Sequence, residues 1–312
     1  MASLRPDPKS PFRIGTRGSP LALAQAHETR DRLASAWTLE TAAFEIVVIR
    51  TTGDKVQDRP LKEIGGKGLF TREIEAALLD GGIDIAVHSM KDMPVDQPDG
   101  LVLDCYLPRE DPRDALVHPG ALALSALQPG SVVGTSSLRR RAQVLHRRPD
   151  LAIVEFRGNV QTRMRKLSEG VAQATFLAMA GLNRLGMDEL PRSAVSPDDM
   201  LPAVAQGVIG IERRGTDSRV AEMLAAIHDV EAAAQLAAER AFLARLDGSC
   251  QTPIAGLAEF TGGGLRLRGE ILRPDGAQCH AGQRAGAIGD GAEMGRDLAA
   301  DLLGQAGAGF FD

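Results

Sequence analysis

One short pattern occurs twice in this chain and limits its fold more than any other feature. An apolar run ends in Gly-Thr, passes through a polar turn and enters a helical stretch carrying Ala-Gln, at residues 15–25 and again at residues 134–143. Strands alternating with helices in this way build largely parallel α/β sheets, and such sheets carry ligand chemistry at the carboxyl ends of their strands. Two copies therefore predict two similarly built lobes. In the first copy Phe12-Arg13-Ile14-Gly15-Thr16 is the strand, Ser19 is placed as an N-cap, and Pro20 suits the first helical position. Leu23, Ala26, Leu33 and Trp37 then keep a helical period. In the second, Ser131-Val132-Val133-Gly134-Thr135 leads to a helix starting at Ser136 or Ser137. A further strand at 151–156 enters another helix through Arg157-Gly158-Asn159.

The remaining elements fit around these. Residues 44–49 read as a strand, and residues 51–68, rich in Gly, Asp and Lys with little to bury, as a mobile loop. A helix at 69–79 precedes a buried strand, Ile83-Asp84-Ile85-Ala86-Val87, which ends in the polar turn His88-Ser89-Met90-Lys91-Asp92-Met93-Pro94. The Pro-bounded stretch 108–114 reads as a domain crossing, and 201–207 as the return to the first lobe, followed by a strand at 208–212. Asp229 can cap a helix that runs to about residue 246 with Leu236, Leu243 and Leu246 on one face, and Gly248 is placed to end it. Strands at 254–260 and 265–272 flank Thr261-Gly262-Gly263-Gly264, a hairpin signal, and a last helix lies near 294–303. The expected domains are 12–107 with 206–226, then 113–201, then a small α+β domain over 229–312.

Composition excludes several classes. No run of eighteen apolar residues exists, so no membrane-spanning helix is expected, and the N-terminal stretch lacks the apolar core of a secretory signal. Three cysteines are too few, and odd in number, for a disulfide framework, which points to a reducing cytoplasm. No Cys/His spacing supports a metal site. Gly65-Gly66-Lys67-Gly68 lacks the spaced first Gly and the Ser/Thr of a phosphate loop, and reads as a glycine hinge. The net charge of −5 argues against a general nucleic-acid binder, yet residues 133–166 hold eight Arg and one Lys against two acids. A nucleic-acid site would interleave aromatics there, and the stretch contains only Phe156.

Charge placement singles out the chemistry. Thr135, Ser136 and Ser137 put hydroxyls and backbone N–H groups at a helix start, with Arg139 and Arg140 beside them, and Arg157 and Arg163 repeat the arrangement one strand later. Helix N-termini and bidentate arginines both hold carboxylates, so two such turns in succession indicate a polyanion site. Arg17 occupies the matching turn of the first lobe and could face the same cleft, while Arg184 is either a surface charge or a further cleft cation. Asp92, after a buried strand and among cations, is the acid–base candidate; the competing role is a turn residue bonding locally. Lys91 is a candidate for a substrate anion, and His88 reads as packed. Cys250, in the polar turn Asp247-Gly248-Ser249-Cys250-Gln251, is either a small buried residue or a covalent anchor.

Taken in order, GTRGSPLALAQA, TTGDK, IGGKGLF, DIAVHSMKDMP, PREDPRDAL, GTSSLRRRAQ, RGNVQTR, AGLNRLG, LPAVAQGVIGIE and GSCQTPI resemble the porphobilinogen deaminase (hydroxymethylbilane synthase) family over about residues 12 to 280. The resemblance implies two lobes like those of type-II periplasmic binding proteins plus a small α+β C-terminal domain. It also implies a transferase of tetrapyrrole synthesis, with a dipyrromethane cofactor joined by a thioether to Cys250. Four porphobilinogen units would add head to tail with loss of ammonia, and hydrolysis would free hydroxymethylbilane. By family match, Asp92 is catalytic. Ser89, Lys91, Thr135, Ser137, Arg139, Arg140, Arg157, Arg163 and Arg184 hold the cofactor, and Arg17, Ser19, Lys67, Phe70 and Gln206 meet substrate. The resemblance further implies a cytoplasmic monomer without nucleic-acid or membrane partners. Two departures stand out: Glu63 where some relatives carry Lys, with Lys62 a possible substitute, and Ala205 where many carry Gly. The competing reading is a two-lobed module that captures an anionic ligand without chemistry; it needs neither Asp92 nor Cys250.

Overall fold

The computed structural model describes residues 6–55, 71–248, 252–307 and 309–311. It divides into two compact units, Met1–Arg109 with Val208–Ala233, and Glu110–Gly207 with Ala234–Asp312.

The first unit is built on a five-stranded sheet. Its strands are β1 (Phe12–Thr16), β2 (Phe44–Val48), β3 (Ile85–Ser89), β4 (Leu101–Tyr106) and the late strand β10 (Ile209–Arg214), in the order β2-β1-β3-β10-β4. β1 pairs parallel with β2 and β3, while β10 runs antiparallel to both β3 and β4. Both faces are buried, as a mostly parallel sheet requires. Phe12, Ile14, Val87, Ile209 and Ile211 face the helices Pro20–Trp37 and Ser218–Ala225 through Ala26, Leu33, Val220 and Leu224. Ile83, Ala86 and Leu101 face the helix Arg72–Leu79 through Ile74 and Leu78. The first helix starts as its sequence predicts: Ser19 accepts a hydrogen bond from the Ala22 N–H, and Pro20 follows. The expected strand 83–87 lies two residues later, at β3, so its carboxyl end falls directly on the Ser89–Asp92 turn.

The second unit repeats the topology. β5 (Asp114–Val117), β6 (Val132–Gly134), β7 (Ala152–Val154), β8 (Ala174–Ala178) and β9 (Arg192–Ala194) lie in the order β7-β6-β8-β5-β9. Three parallel strands are again followed by an antiparallel one and an edge strand. The antiparallel strand is β5 here and β10 in the first unit, so the repeated sequence pattern does mark two similarly wound sheets. Val133, Leu116 and Phe176 pack with Val144 of the helix Leu138–Arg147. Ala115, Val117 and Leu177 meet Leu182 and, from the helix Val160–Ser168, Val160 and Met164.

A three-stranded antiparallel sheet, β11 (Ile254–Thr261), β12 (Gly264–Leu272) and β13 (Cys279–Gly286), follows in the same unit. Gly262 and Gly263 both have positive φ (54° and 91°), which a two-residue hairpin turn matched to strand twist demands. The helix Val230–Arg245 is capped by Asp229, whose carboxylate accepts from the Ala232 N–H. It does not end on Gly248: Asp247 takes the left-handed conformation (φ 48°), and Gly248 is needed because a Cβ there would strike Ile254 and Leu243. The stretch 108–114 is likewise not all connector, because Asp114 is fully buried as the first residue of β5.

Candidate active site

In the first unit the carboxyl ends of β1 and β3 border a small pocket lined by Arg17, Ser19, Gln25, His88, Ser89 and Asp92, with Thr71 and Met93 among its walls. The parallel pairing of β1 with β3 brings Arg17 and Asp92 to the same sheet edge although they are far apart in sequence. Asp92 ends a single turn of 3-10 helix over Met90–Asp92, and its side chain is exposed. Met90 beside it is buried in the core, which anchors the turn. Lys91 is half-buried and does not line this pocket. Ser19 serves as both helix cap and pocket wall. Gln25, which the sequence reading did not single out, is buried and donates through Nε2 to Ser89 Oγ at 2.8 Å. It is the Gln of the repeated Ala-Gln, and it fixes the hydroxyl at the end of β3. His88 is packed, as expected, with Nε2 at 3.2 Å from Glu212 Oε2.

In the second unit the expected cation cluster is present but is tied to a carboxylate the sequence reading missed. Asp114 is 0% exposed, and Arg139 and Arg140 are each 5% exposed. Arg139 Nη1 donates to Asp114 Oδ2 at 2.8 Å and to the Leu201 carbonyl at 2.9 Å. Arg140 donates to Asp114 Oδ1 through Nη2 at 2.7 Å and to the Phe176 carbonyl through Nη1 at 2.9 Å. Burial alone would raise the Asp114 carboxyl, but the two guanidinium charges outweigh it and hold the group well below the usual carboxylate range. Gln206 is buried in the same network, its Nε2 donating to Asp114 Oδ1 and to the Pro112 carbonyl. A substrate-facing Gln206 is not what these bonds describe.

The hydroxyls behave as caps. Ser137 accepts from the Arg140 N–H, and Thr135 Oγ1 accepts from the Ser137 N–H. Asn159 caps the next helix, which sets Arg163 on its first turn. Arg163 donates through Nε to Gly158 O at 3.0 Å and through Nη1 to the Phe176 carbonyl at 3.5 Å, the same carbonyl that Arg140 uses. Two guanidinium groups thus converge on one neutral oxygen. Burial, and then the like charge of Arg140, push the Arg163 guanidinium down to about 10. Arg157 is half-buried, and its carbonyl accepts from Lys166 Nζ. Arg184 Nη2 donates to the Gly207 carbonyl at 3.1 Å. Lys67, Phe70, Glu63, Lys62 and Cys250 lie outside the described residues, as does most of the expected loop 51–68.

This arrangement suits a ligand with several carboxylates. Arg139 Nε is buried without a hydrogen-bond partner among the described residues, and Arg163 feels the like charge of Arg140, which Glu155 offsets only in part. An anion would relieve both. A protein-family model described as "Porphobilinogen deaminase, dipyromethane cofactor binding domain" matches residues 12–222, and one described as "Porphobilinogen deaminase, C-terminal domain" matches residues 233–304. The chain belongs to the porphobilinogen deaminase family. It is 70% identical to the porphobilinogen deaminase of Paracoccus denitrificans (strain Pd 1222), over 98% of each chain. It is 55% identical to the chloroplastic porphobilinogen deaminase of Pisum sativum, over 96% of this chain and 83% of that one. Among solved structures, the Bordetella pertussis BvgS periplasmic VFT2 domain matches at 14% identity with a TM-score of 0.41, over 69% of this chain and 86% of that one. The family's dipyrromethane-binding domain spans both five-stranded sheets. Among the described residues, no helix is long and apolar enough to cross a membrane.

Proposed function

We propose that this deaminase joins four porphobilinogen molecules head to tail, releases ammonia at each addition, and hydrolyses the product free as hydroxymethylbilane. The observation that carries the reading is the convergence of Arg140 and Arg163 on the Phe176 carbonyl, beside the buried, under-bonded Arg139. Every pyrrole of such a chain brings two carboxylates, and these guanidinium groups are preset to take them. Arg157 and Arg184 extend that cationic surface, while Thr135 and Ser137 keep the helix start in place. A dipyrromethane held there by a thioether to Cys250 would supply the free pyrrole carbon that accepts the first substrate. The residue set fits such a group in charge.

In the first unit, Arg17 and Ser19 face the pocket that Asp92 borders and are assigned to substrate carboxylates, with Lys91 as a further cation. As the substrate's carbon–nitrogen bond breaks, its electron pair leaves with ammonia and positive charge spreads over the pyrrole. The amine leaves from its protonated form, so the group released is neutral ammonia. The exposed Asp92 carboxylate stabilises the cation left behind, then takes the proton displaced from the pyrrole carbon when the new carbon–carbon bond forms and passes it to the released ammonia or to solvent. Lys67 and Phe70 are assigned to substrate, and Gln206 to holding Asp114 rather than to substrate. The division into domains 12–107 with 206–226, 113–201 and 229–312, and a cytoplasmic monomer, complete the proposal.

Intact mass with peptide mapping tests it. The purified protein is expected to carry two linked pyrrole units on the peptide containing Cys250, to lose them in Cys250→Ala, and to consume porphobilinogen. A Cys250 that stays unmodified even after incubation with porphobilinogen would return the chain to the anion-binding module reading.

A further inference from the structure

β10 alternates Ile209, Gly210, Ile211, Glu212, so its odd residues enter one core and its even residues the other. Glu212 is therefore aimed into the apolar layer under the helix Arg72–Leu79, where it is 0% exposed. A carboxylate on an interior strand of a doubly covered sheet contradicts the pattern around it, and such conflicts mark functional positions. Register explains its partner. His88 lies opposite Gly210 and Glu212 opposite Ala86, so His88 and Glu212 are diagonal neighbours on one face. Gly210, between them on that face, has no side chain because Met90 fills the space: a Cβ there would strike Met90 Sδ. His88 Nε2 reaches Glu212 Oε2 at 3.2 Å, while Glu212 Oε1 is buried with no hydrogen-bond partner among the described residues. Glu75, from the helix above, is a second buried acid on the same face. Burial pushes the Glu75 carboxyl above its ordinary value, and Glu212 adds to the push.

His88 also lines the pocket that Asp92 borders. We propose that Glu212 is a positioning residue of the deaminase reaction: through His88 it places buried negative charge directly beneath the Asp92 pocket, favouring the ammonium form of the substrate's aminomethyl group and the cation left when ammonia departs. Among the described residues the charged groups around His88 are Glu212 from β10, Glu75 from the helix, which Arg72 faces, and, lining the same pocket, Asp92 from the turn and Arg17 from the turn after β1. Protonation of Glu75, whose carboxyl is already pushed up by burial, would lower the negative charge of this cluster, so the effect is expected to weaken as pH falls. The inference rests on the deaminase reading above.

The test compares wild-type holoenzyme with Glu212→Gln, which keeps size and shape, using dipyrromethane mass as the loading control. Loading is expected to be retained, kcat to fall roughly tenfold with a smaller change in KM, and the pH profile of kcat to move. A folded, loaded Glu212→Gln enzyme with wild-type kcat and pH profile would overturn the proposal. Should Glu212→Gln not fold, His88→Gln and Glu75→Gln carry the same test, and wild-type profiles in both would overturn it. Failure of wild-type holoenzyme itself to consume porphobilinogen would instead sink the deaminase reading.

Discussion

Asp114→Asn removes the carboxylate that compensates Arg139 and Arg140. In the folded protein that carboxylate takes charge-assisted bonds from both guanidinium groups at 2.7–2.8 Å and a further one from Gln206, all out of water. An amide of the same shape leaves two buried cations without a counter-ion and turns N–H groups toward N–H donors. Breaking a buried pair in this way costs about 3–5 kcal/mol, against about 0–1 kcal/mol for a solvated surface pair. For a unit of this size each kcal/mol moves the melting temperature by roughly 2–4 °C, so the variant should melt about 6–20 °C lower. The pH dependence gives an independent check. A carboxyl depressed in the folded state contributes stability above its unfolded pKa, about 3.9, and loses it as pH falls toward the folded value. Melting curves of wild type and variant should therefore converge on acidification below about pH 4. Calorimetry at neutral and acid pH reads both effects. A loss of under about 1 kcal/mol at neutral pH would show that the triad behaves as a surface pair and would refute the reasoning.

Three further outcomes follow from single sites. Asp92→Asn alters an exposed turn, so melting should change by less than about 0.5 kcal/mol while turnover falls roughly 10²–10⁴-fold; wild-type rates of porphobilinogen consumption would remove Asp92 from the mechanism. Ala205 is buried with φ at 61°, a conformation that costs an L-residue about 1–2 kcal/mol. Ala205→Gly gives part of this back as lost chain entropy and should stabilise by roughly 0.5–1 kcal/mol in urea unfolding, so a destabilised variant would count against strain there. Arg163→Leu relieves the like-charge contact with Arg140, so the fold should persist while dipyrromethane loading, read by intact mass, drops. Full loading would show that Arg163 holds no carboxylate.

Much of the frame was legible because it depends on local rules. Ser19 and Pro20 start a helix by capping chemistry alone, Gly262-Gly263 make a hairpin turn because of their free φ, and the doubled Gly-Thr pattern marks two sheets of the same order. What escaped depends on pairing across the chain. β13 is largely exposed and polar, with no apolar alternation to reveal it, and is held by its register with β12. β4 does alternate, but its place beside β10 depends on a strand that arrives a hundred residues later.

The arginine cluster shows the same division most sharply. Counting charges finds Arg139, Arg140 and Arg163 but cannot tell which are already compensated. The answer lies in Asp114, which in sequence is one more polar residue closing a Pro-bounded connector, and only the antiparallel insertion of β5 beside β8 carries it under the helix that bears Arg139 and Arg140. The first sheet has the mirror-image case. Glu212 ends an apolar run and looks like the strand's exit to solvent, yet β10 continues to Arg214, which places Glu212 inside. In each sheet the missed acid sits on the one antiparallel strand, the strand that comes from the other end of its unit's sequence. That strand brings a carboxylate to a place where neighbouring residues in the chain give no sign of it, so the charge balance within each unit is set by topology rather than by local composition.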